Sequence, residues 1–98
     1  MYNGWANYET WCFDLWLNNE EPYYKTVLDC IRDVKRECTG KRGRVLILAD
    51  ELKELYEAYA MPRNHTGLAS DLLGHAKSHI DFEEIARCFI EEFEDVDV

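Results

Sequence analysis

Asp71, His75 and His79 recur at four-residue intervals, so a helix stacks one carboxylate and two imidazoles in a single row. Such a row suits a divalent metal, and its spacing resembles the paired histidines of a zincin helix. The Glu that follows the first His in that motif is missing, because Ala76 stands there. The apolar residues of the segment, Leu68, Ala69, Leu72, Leu73 and Ala76, take a different helical face. The row therefore reads as a solvated polar face, with a metal site as its alternative. Elsewhere there is no Ser-His-Asp order, no glycine-rich nucleotide loop and no Cys–His pair in a supporting motif. Gly40-Lys41-Arg42-Gly43 lacks the GxxxxGK[ST] order of a phosphate loop. The expectation is a non-enzymatic chain with no catalytic residue, no metal and no cofactor.

The charge pattern points to binding instead. The 98 residues carry 11 Lys and Arg against 20 Asp and Glu, for a net charge of -9. Residues 1–21 contribute -4, residues 22–44 contribute +4, residues 45–63 contribute -2 and residues 64–98 contribute -7. This balance disfavours direct nucleic-acid binding, which needs cations to neutralise phosphates. It fits a basic partner or simple solubility. In the middle, Lys35, Arg36, Lys41, Arg42 and Arg44 cluster around a turn expected at Thr39–Gly43. Their charges either meet an outside phosphate or acidic surface, or offset the acidic ends of the same molecule or of a second copy in a homodimer. Glu83, Glu84, Glu91, Glu92, Glu94, Asp95 and Asp97 make the C-terminus densely acidic. Acids set along a rigid helix can imitate a row of phosphates and occupy a basic groove made for DNA or RNA. Glu20 and Glu21 extend that candidate surface at the other end of the chain.

The elements that must carry these groups are helical. A first helix is predicted over about 8–17, capped by Asn7, with Tyr8, Trp11, Cys12, Leu15 and Trp16 as its inward face and Asn18-Asn19 as its stop. A second helix starts near Pro22 and buries Tyr24, Val27, Ile31, Val34 and Cys38. Val45-Leu46-Ile47-Leu48 has the β-branched content of a short strand. Val45, Leu48, Leu52, Leu55, Tyr56 and Tyr59 keep helical spacing, however, so one helix over about 44–60 is preferred. A loop at 62–65 and a Thr66 cap lead into a short fourth helix. Asp81-Phe82-Glu83-Glu84 forms an acidic capping box for a fifth helix over about 82–94, with Phe82, Ile85, Ala86, Phe89 and Phe93 inward. The expected architecture is all-α: a compact bundle of about five helices in a single domain over residues 1–98, frayed at 95–98. About 65% of the chain's surface can be buried at this size, enough for one core.

Tyr2, Trp5, Tyr8, Trp11, Trp16, Tyr23 and Tyr24 place more than half of the thirteen aromatic residues in the first quarter of the chain. Trp11 and Trp16 sit on the predicted inward stripe and are expected in the core. Tyr2 and Trp5 precede the helix and either fold over its end or lie exposed, where aromatics beside carboxylates make a protein-binding hot spot. No apolar run approaches the length needed to cross a membrane, and no basic-then-apolar leader opens the sequence. The expectation is a cytoplasmic protein whose four cysteines, Cys12, Cys30, Cys38 and Cys88, remain thiols, most of them buried as small apolar groups.

Gly4-Trp5-Ala6-Asn7-Tyr8-Glu9-Thr10-Trp11 and Leu15-Trp16-Leu17-Asn18-Asn19-Glu20 resemble a family of small proteins from phages, plasmids and other mobile elements. That family carries a YNGWxNYETWxxxLWxxNE signature. Ile80-Asp81-Phe82-Glu83-Glu84-Ile85-Ala86 is similar to its second block, (D/N)(W/F)xEIA. The two blocks cover about a quarter of the chain, at its ends, and both helices that bear them need apolar partners. The resemblance implies a mobile-element setting and a mainly α fold, and it transfers no catalytic residue. By analogy of class it implies a stoichiometric inhibitor of a host nucleic-acid-directed defence complex, of anti-CRISPR or anti-restriction type. Glu83, Glu84, Glu91, Glu92, Glu94 and Asp95, then Glu20 and Glu21, would cover the basic surface of that complex. The alternative is a small adaptor or regulator that binds a protein through Tyr2 and Trp5. Asn7, Tyr8, Glu9 and Thr10 serve either as capping and first-turn chemistry or as a partner-reading patch.

Overall fold

A computed structural model describes residues 2–59 and 67–96 of the chain. Five helices follow in order: α1 Tyr8–Asn19, α2 Glu21–Glu37, α3 Lys41–Tyr59, α4 Leu68–His79 and α5 Phe82–Glu92. The chain is all-α, and the helical reading of 45–48 holds over the strand. The expected loop at 62–65, the Thr66 cap, the side chains of Tyr59 and Ala69, and Asp97 lie outside the described residues.

Local chemistry explains most of the helix ends. Asn7, in extended conformation, accepts from the Thr10 N–H through its side chain and starts α1. α1 stops at Asn19, as the Asn18-Asn19 pair predicts, and the two amides donate to the carbonyls of Asp14 and Leu15 one turn back. Pro22 occupies the first turn of α2, where its missing N–H costs nothing. The glycine-containing segment expected as a turn is instead the start of α3, whose Arg44 N–H donates to the Gly40 carbonyl. A Cβ added at Gly43 would lie 2.6 Å from the Cys38 sulfur, so any other residue there must displace the Cys38 side chain.

The core is built around α3 and α5, which pack on each other most extensively, with α2 on α3, α1 on α2, and α4 against α1. Val27 and Ile31 of α2, Leu48 and Leu52 of α3, and Ile85 and Phe89 of α5 are buried together. These are the stripes the sequence predicts for the three helices, with Ile90 added. Burial of this kind is the main favourable term in folding.

Two helices depart from their predicted faces. On α1 the buried residues are Thr10 and Leu17, with Phe13 packed between them against the core. Trp16, expected inside, is 54% exposed, Tyr8 is 48% exposed, and Leu15 is also exposed. The reason is that α1 is apolar on nearly every side, so periodicity alone does not choose a face. A polar tether chooses it. The Thr10 hydroxyl donates to Asn7 Oδ1 (2.7 Å) and accepts from the Asp81 N–H (2.9 Å), which turns Thr10 inward and places Phe13 and Leu17 below it. On α4, Leu68 and Leu72 are 75% and 60% exposed although both were expected inward, while Leu73 and Ala76 are half-buried.

Candidate functional site

The signature residues of the two chain ends meet at the start of α1. Asn7 Nδ2 donates to the His79 carbonyl (2.6 Å), and the Ala6 N–H donates to Glu84 Oε1 (3.0 Å). The expected capping box is half formed: Asp81 Oδ1 accepts from the Glu84 N–H (3.0 Å). The returning bond is redirected, because the Asp81 N–H goes to Thr10 and the Glu84 carboxylate reaches across to Ala6. Asn7 and Thr10 are thus spent on capping and on clamping α1 to the α4–α5 corner. Tyr8 and Glu9, the other two polar members of the block, stay at the surface.

Ahead of α1, Tyr2 and Trp5 exchange backbone hydrogen bonds of 2.7 and 2.8 Å around Asn3 (φ 47°) and Gly4 (φ 89°). Two consecutive positive φ values make a tight turn for which Asn-Gly is the favoured dipeptide, a signal the helix-centred reading of the sequence missed. The turn folds the N-terminus back. Trp5 becomes half-buried against the core, while Tyr2 stays exposed and stacks on Tyr8 (5.3 Å) and Trp11 (5.1 Å). The aromatic patch is therefore real but displaced. Its exposed members are Tyr2, Tyr8 and Trp16, and Trp5 serves mainly as packing.

Beside this face lies a groove of about 480 Å³. Phe13 and Trp16 of α1 form one wall, Leu73 and Ala76 of α4 the other, and Leu55 and Tyr56 of α3 the floor. The Tyr56 hydroxyl donates to the Leu73 carbonyl (3.0 Å) and ties α3 to α4. Glu9 is the one carboxylate in the lining. The volume lies in the usual range of ligand and peptide sites, and the lining is apolar apart from that edge.

The charged candidates divide into two groups. Glu83 pairs with Arg42 (3.1 Å), Glu91 with Lys41 (2.6 Å), and Glu84 holds Ala6. The Lys41 ammonium keeps the Glu91 carboxyl below the usual carboxylate range. Lys35 donates to the carbonyls of Phe93 (2.9 Å) and Val96 (2.5 Å), which ties the segment after α5 to α2. Arg44 donates to the carbonyls of Cys38 (2.5 Å) and Lys35 (3.2 Å), a cation at the C-terminal end of α2. Arg36 pairs with Asp33. All five cations of the basic cluster are used within the chain, and the basic-to-acidic pairing imagined between two copies is made inside one. Glu21 pairs with Lys25 one turn along. Among the described residues Glu20, Glu92, Glu94 and Asp95 have no ion-pair partner.

Asp14 of α1 faces the same acidic side. Half-burial, opposed by the Asn18 amide and reinforced by Glu92, raises its pKa from 3.8 to about 6. Between these two values the folded state binds more protons than the unfolded state, so stability falls as pH rises from about 4 to 6 and the deficit persists above. Asp14→Asn removes it. Its thermal midpoint at pH 7 is expected above that of the parent by an amount worth about 1 kcal/mol or less after allowance for solvent screening. The two proteins should converge near pH 4, and scanning calorimetry across that interval checks it.

Asp71, His75 and His79 all lie exposed on α4. The two imidazoles meet edge to face with centroids 4.3 Å apart. Among the described residues no group of three or more His, Cys, Asp or Glu converges on a metal position. All four cysteines are free thiols, but none is fully buried: Cys12, Cys30 and Cys38 are half-buried and Cys88 is exposed. Burial, with Glu51 close by, pushes the Cys30 thiol up to about 11 and leaves it unreactive. No helix among the described residues is long and apolar enough to cross a membrane.

A family of unknown function, DUF7249, matches residues 1–94. The chain belongs to this family. The DUF7249 match spans both signature blocks and the clamp between them, and it brings no activity with it. No curated protein and no solved structure matches the chain.

Proposed function

We propose that this DUF7249 protein is a non-enzymatic, stoichiometric binder of a protein partner, and that the outward face of α1 with its groove is the contact surface. The observation that carries the reading is the exposure of Trp16 and Tyr8 beside an open apolar groove. Large aromatic side chains left in water next to a concave apolar surface are the usual anchors of a protein interface. This is the adaptor-or-regulator alternative, with its anchors moved from Trp5 to Trp16 and Tyr8. The mobile-element resemblance supplies the biological setting. The partner belongs to a host nucleic-acid-directed defence complex, and the binder acts as its inhibitor in the host cytoplasm.

A second reading keeps the acidic surface as the contact. Glu92, Glu94 and Asp95 have no ion-pair partner among the described residues, and Glu92 lies close enough to Asp14 to add to the rise that burial gives its pKa. Against it, Glu83, Glu84 and Glu91 are engaged inside the chain and are poorly placed to imitate phosphates.

Affinity capture of the partner by the full chain separates the two. Trp16→Ala is expected to weaken capture by about 30-fold, the size of an interface hot spot. The triple reversal Glu92→Lys, Glu94→Lys, Asp95→Lys is expected to slow association and change its salt dependence with a smaller loss of affinity. The opposite ranking would establish the acidic surface as the contact and retire the aromatic one.

A further inference from the structure

The geometry points to a cationic amphipathic helix as the occupant of the groove between α1 and α4, an inference that rests on the proposed binding face. Three features select this occupant. The first is shape. The groove is open, Trp16 on its α1 wall keeps more than half of its surface in water, and Leu68 and Leu72 leave further apolar area exposed on the α4 that forms the other wall. A small molecule would fill the 480 Å³ and leave that apron in water, whereas a helix covers it. Apolar residues at i, i+4 and i+7 span about 10 Å, two turns of a helix, and follow such a trough with one stripe.

The second feature is charge. α1 has no Lys or Arg and puts Glu9 into the groove lining, and the unpaired Glu20 follows it between the groove residues Leu17 and Tyr23. On α4, Lys77, the one Lys or Arg there, is committed to Glu57. An entering helix therefore meets carboxylates on the α1 rim and no uncommitted Lys or Arg on either wall among the described residues. Lys or Arg flanking its apolar stripe complements that rim, and Asp or Glu is repelled. The same argument disfavours a second copy of this chain, since each copy would bring the same acidic rim to the other.

The third feature is the lining itself. The Tyr56 hydroxyl on the floor, which could otherwise orient a small polar ligand, is already occupied by the Leu73 carbonyl. What remains is apolar area and an acidic edge, the two elements that a helix with one apolar and one basic face satisfies together.

Isothermal titration calorimetry with the full chain and three synthetic probes tests the inference. The probes are a Leu/Lys helix of about 18 residues with helical periodicity, a scramble of the same composition, and a Leu/Glu helix of the same pattern. The Leu/Lys helix is expected to bind one to one and to weaken as salt rises from about 50 to about 500 mM. The scramble should bind at least about tenfold more weakly, and the Leu/Glu helix should not bind. Ala76→Phe, which fills the groove, should weaken the Leu/Lys helix at least about tenfold. Should Ala76→Phe fail to fold, the rim reversal Glu9→Lys with Glu20→Lys should give the same loss. Equal binding of helix and scramble, equal binding of the Leu/Lys and Leu/Glu helices, or indifference to both variants overturns the inference. A dimer mass by light scattering that Ala76→Phe reduces to a monomer would assign the groove to a second copy. Uptake of a naphthalene dye that the Leu/Lys helix fails to displace would assign it to a small apolar ligand. If Trp16→Ala abolishes capture of the cellular partner while no Leu/Lys helix binds, the face is right and the occupant wrong. If neither depends on Trp16, both readings fall.

Discussion

Leu17→Ala is expected to lower stability by about 3 kcal/mol, while Trp16→Ala, one residue earlier and a much larger truncation, costs less than about 1 kcal/mol. Leu17 is fully buried among residues of the core, so its removal forfeits transfer energy and leaves a cavity that the packed helices close only in part. Trp16 keeps more than half of its surface in water and rests on one side of a groove, so little packing is lost with it. For a domain of this size the difference appears as a fall of roughly 15 °C in the midpoint of Leu17→Ala and a few degrees for Trp16→Ala. Thermal or urea unfolding of the two variants measures it. The pair also decides how α1 is rotated: a helix placed by its Tyr8, Trp11, Leu15 and Trp16 stripe would give the reverse ranking.

Thr10→Val should cost about 2 to 3 kcal/mol, or roughly 10 to 20 °C in the midpoint, although it preserves shape and adds apolar surface. The hydroxyl is the hinge of the clamp. It donates to Asn7 and accepts from the Asp81 backbone, joining residues 71 positions apart in a fully buried position. Valine leaves the Asp81 N–H without its acceptor, and an unpaired donor away from water costs more than a hydrogen bond contributes. Thr10→Ser keeps the hydroxyl and loses a methyl, so it should retain most of the stability. Asn7→Ala removes the N-cap and the bond to the His79 carbonyl together. Combined with Thr10→Val it should cost clearly less than the sum, because both act on one network. Additive losses in a double-mutant cycle would show that the two residues work separately.

The same clamp shows where sequence reasoning succeeded. The stripes of α2 and α5 are readable because each has a single apolar face, with charge opposite, and burial follows periodicity; α3 also leaves Leu46 and Ile47 exposed, yet its longer run of Val45, Leu48, Leu52, Leu55 and Tyr56 is the face that is buried. The cap at Asn7 and the acidic cap at Asp81 are readable because a short side chain before a helix has few other uses. On α1 and α4 the method loses its basis. Aromatic and apolar residues surround α1, so several faces satisfy the periodicity equally. Leu68 and Leu72 obey a helical spacing on α4 yet no described residue buries them. The basic cluster misled for a different reason. Glycines on both sides of Lys41 and Arg42 suggest a solvated turn. The acids that draw those cations into the start of α3 lie roughly forty to fifty residues away, where local pattern has no reach.

From the sequence alone follow the helix count, the three core stripes, the absence of a local catalytic motif, and an acidic chain with a basic middle. Each depends on neighbours within a turn or two, or on composition. The tertiary structure decided which acids stay unpaired among the described residues, because pairing with Lys41, Arg42 and Ala6 joins distant segments. It also decided which aromatics face outward. One buried hydroxyl, bonded across the chain to the Asp81 backbone, outweighs the apolar pattern of α1 and turns Trp16 to the surface, where a groove stands beside it.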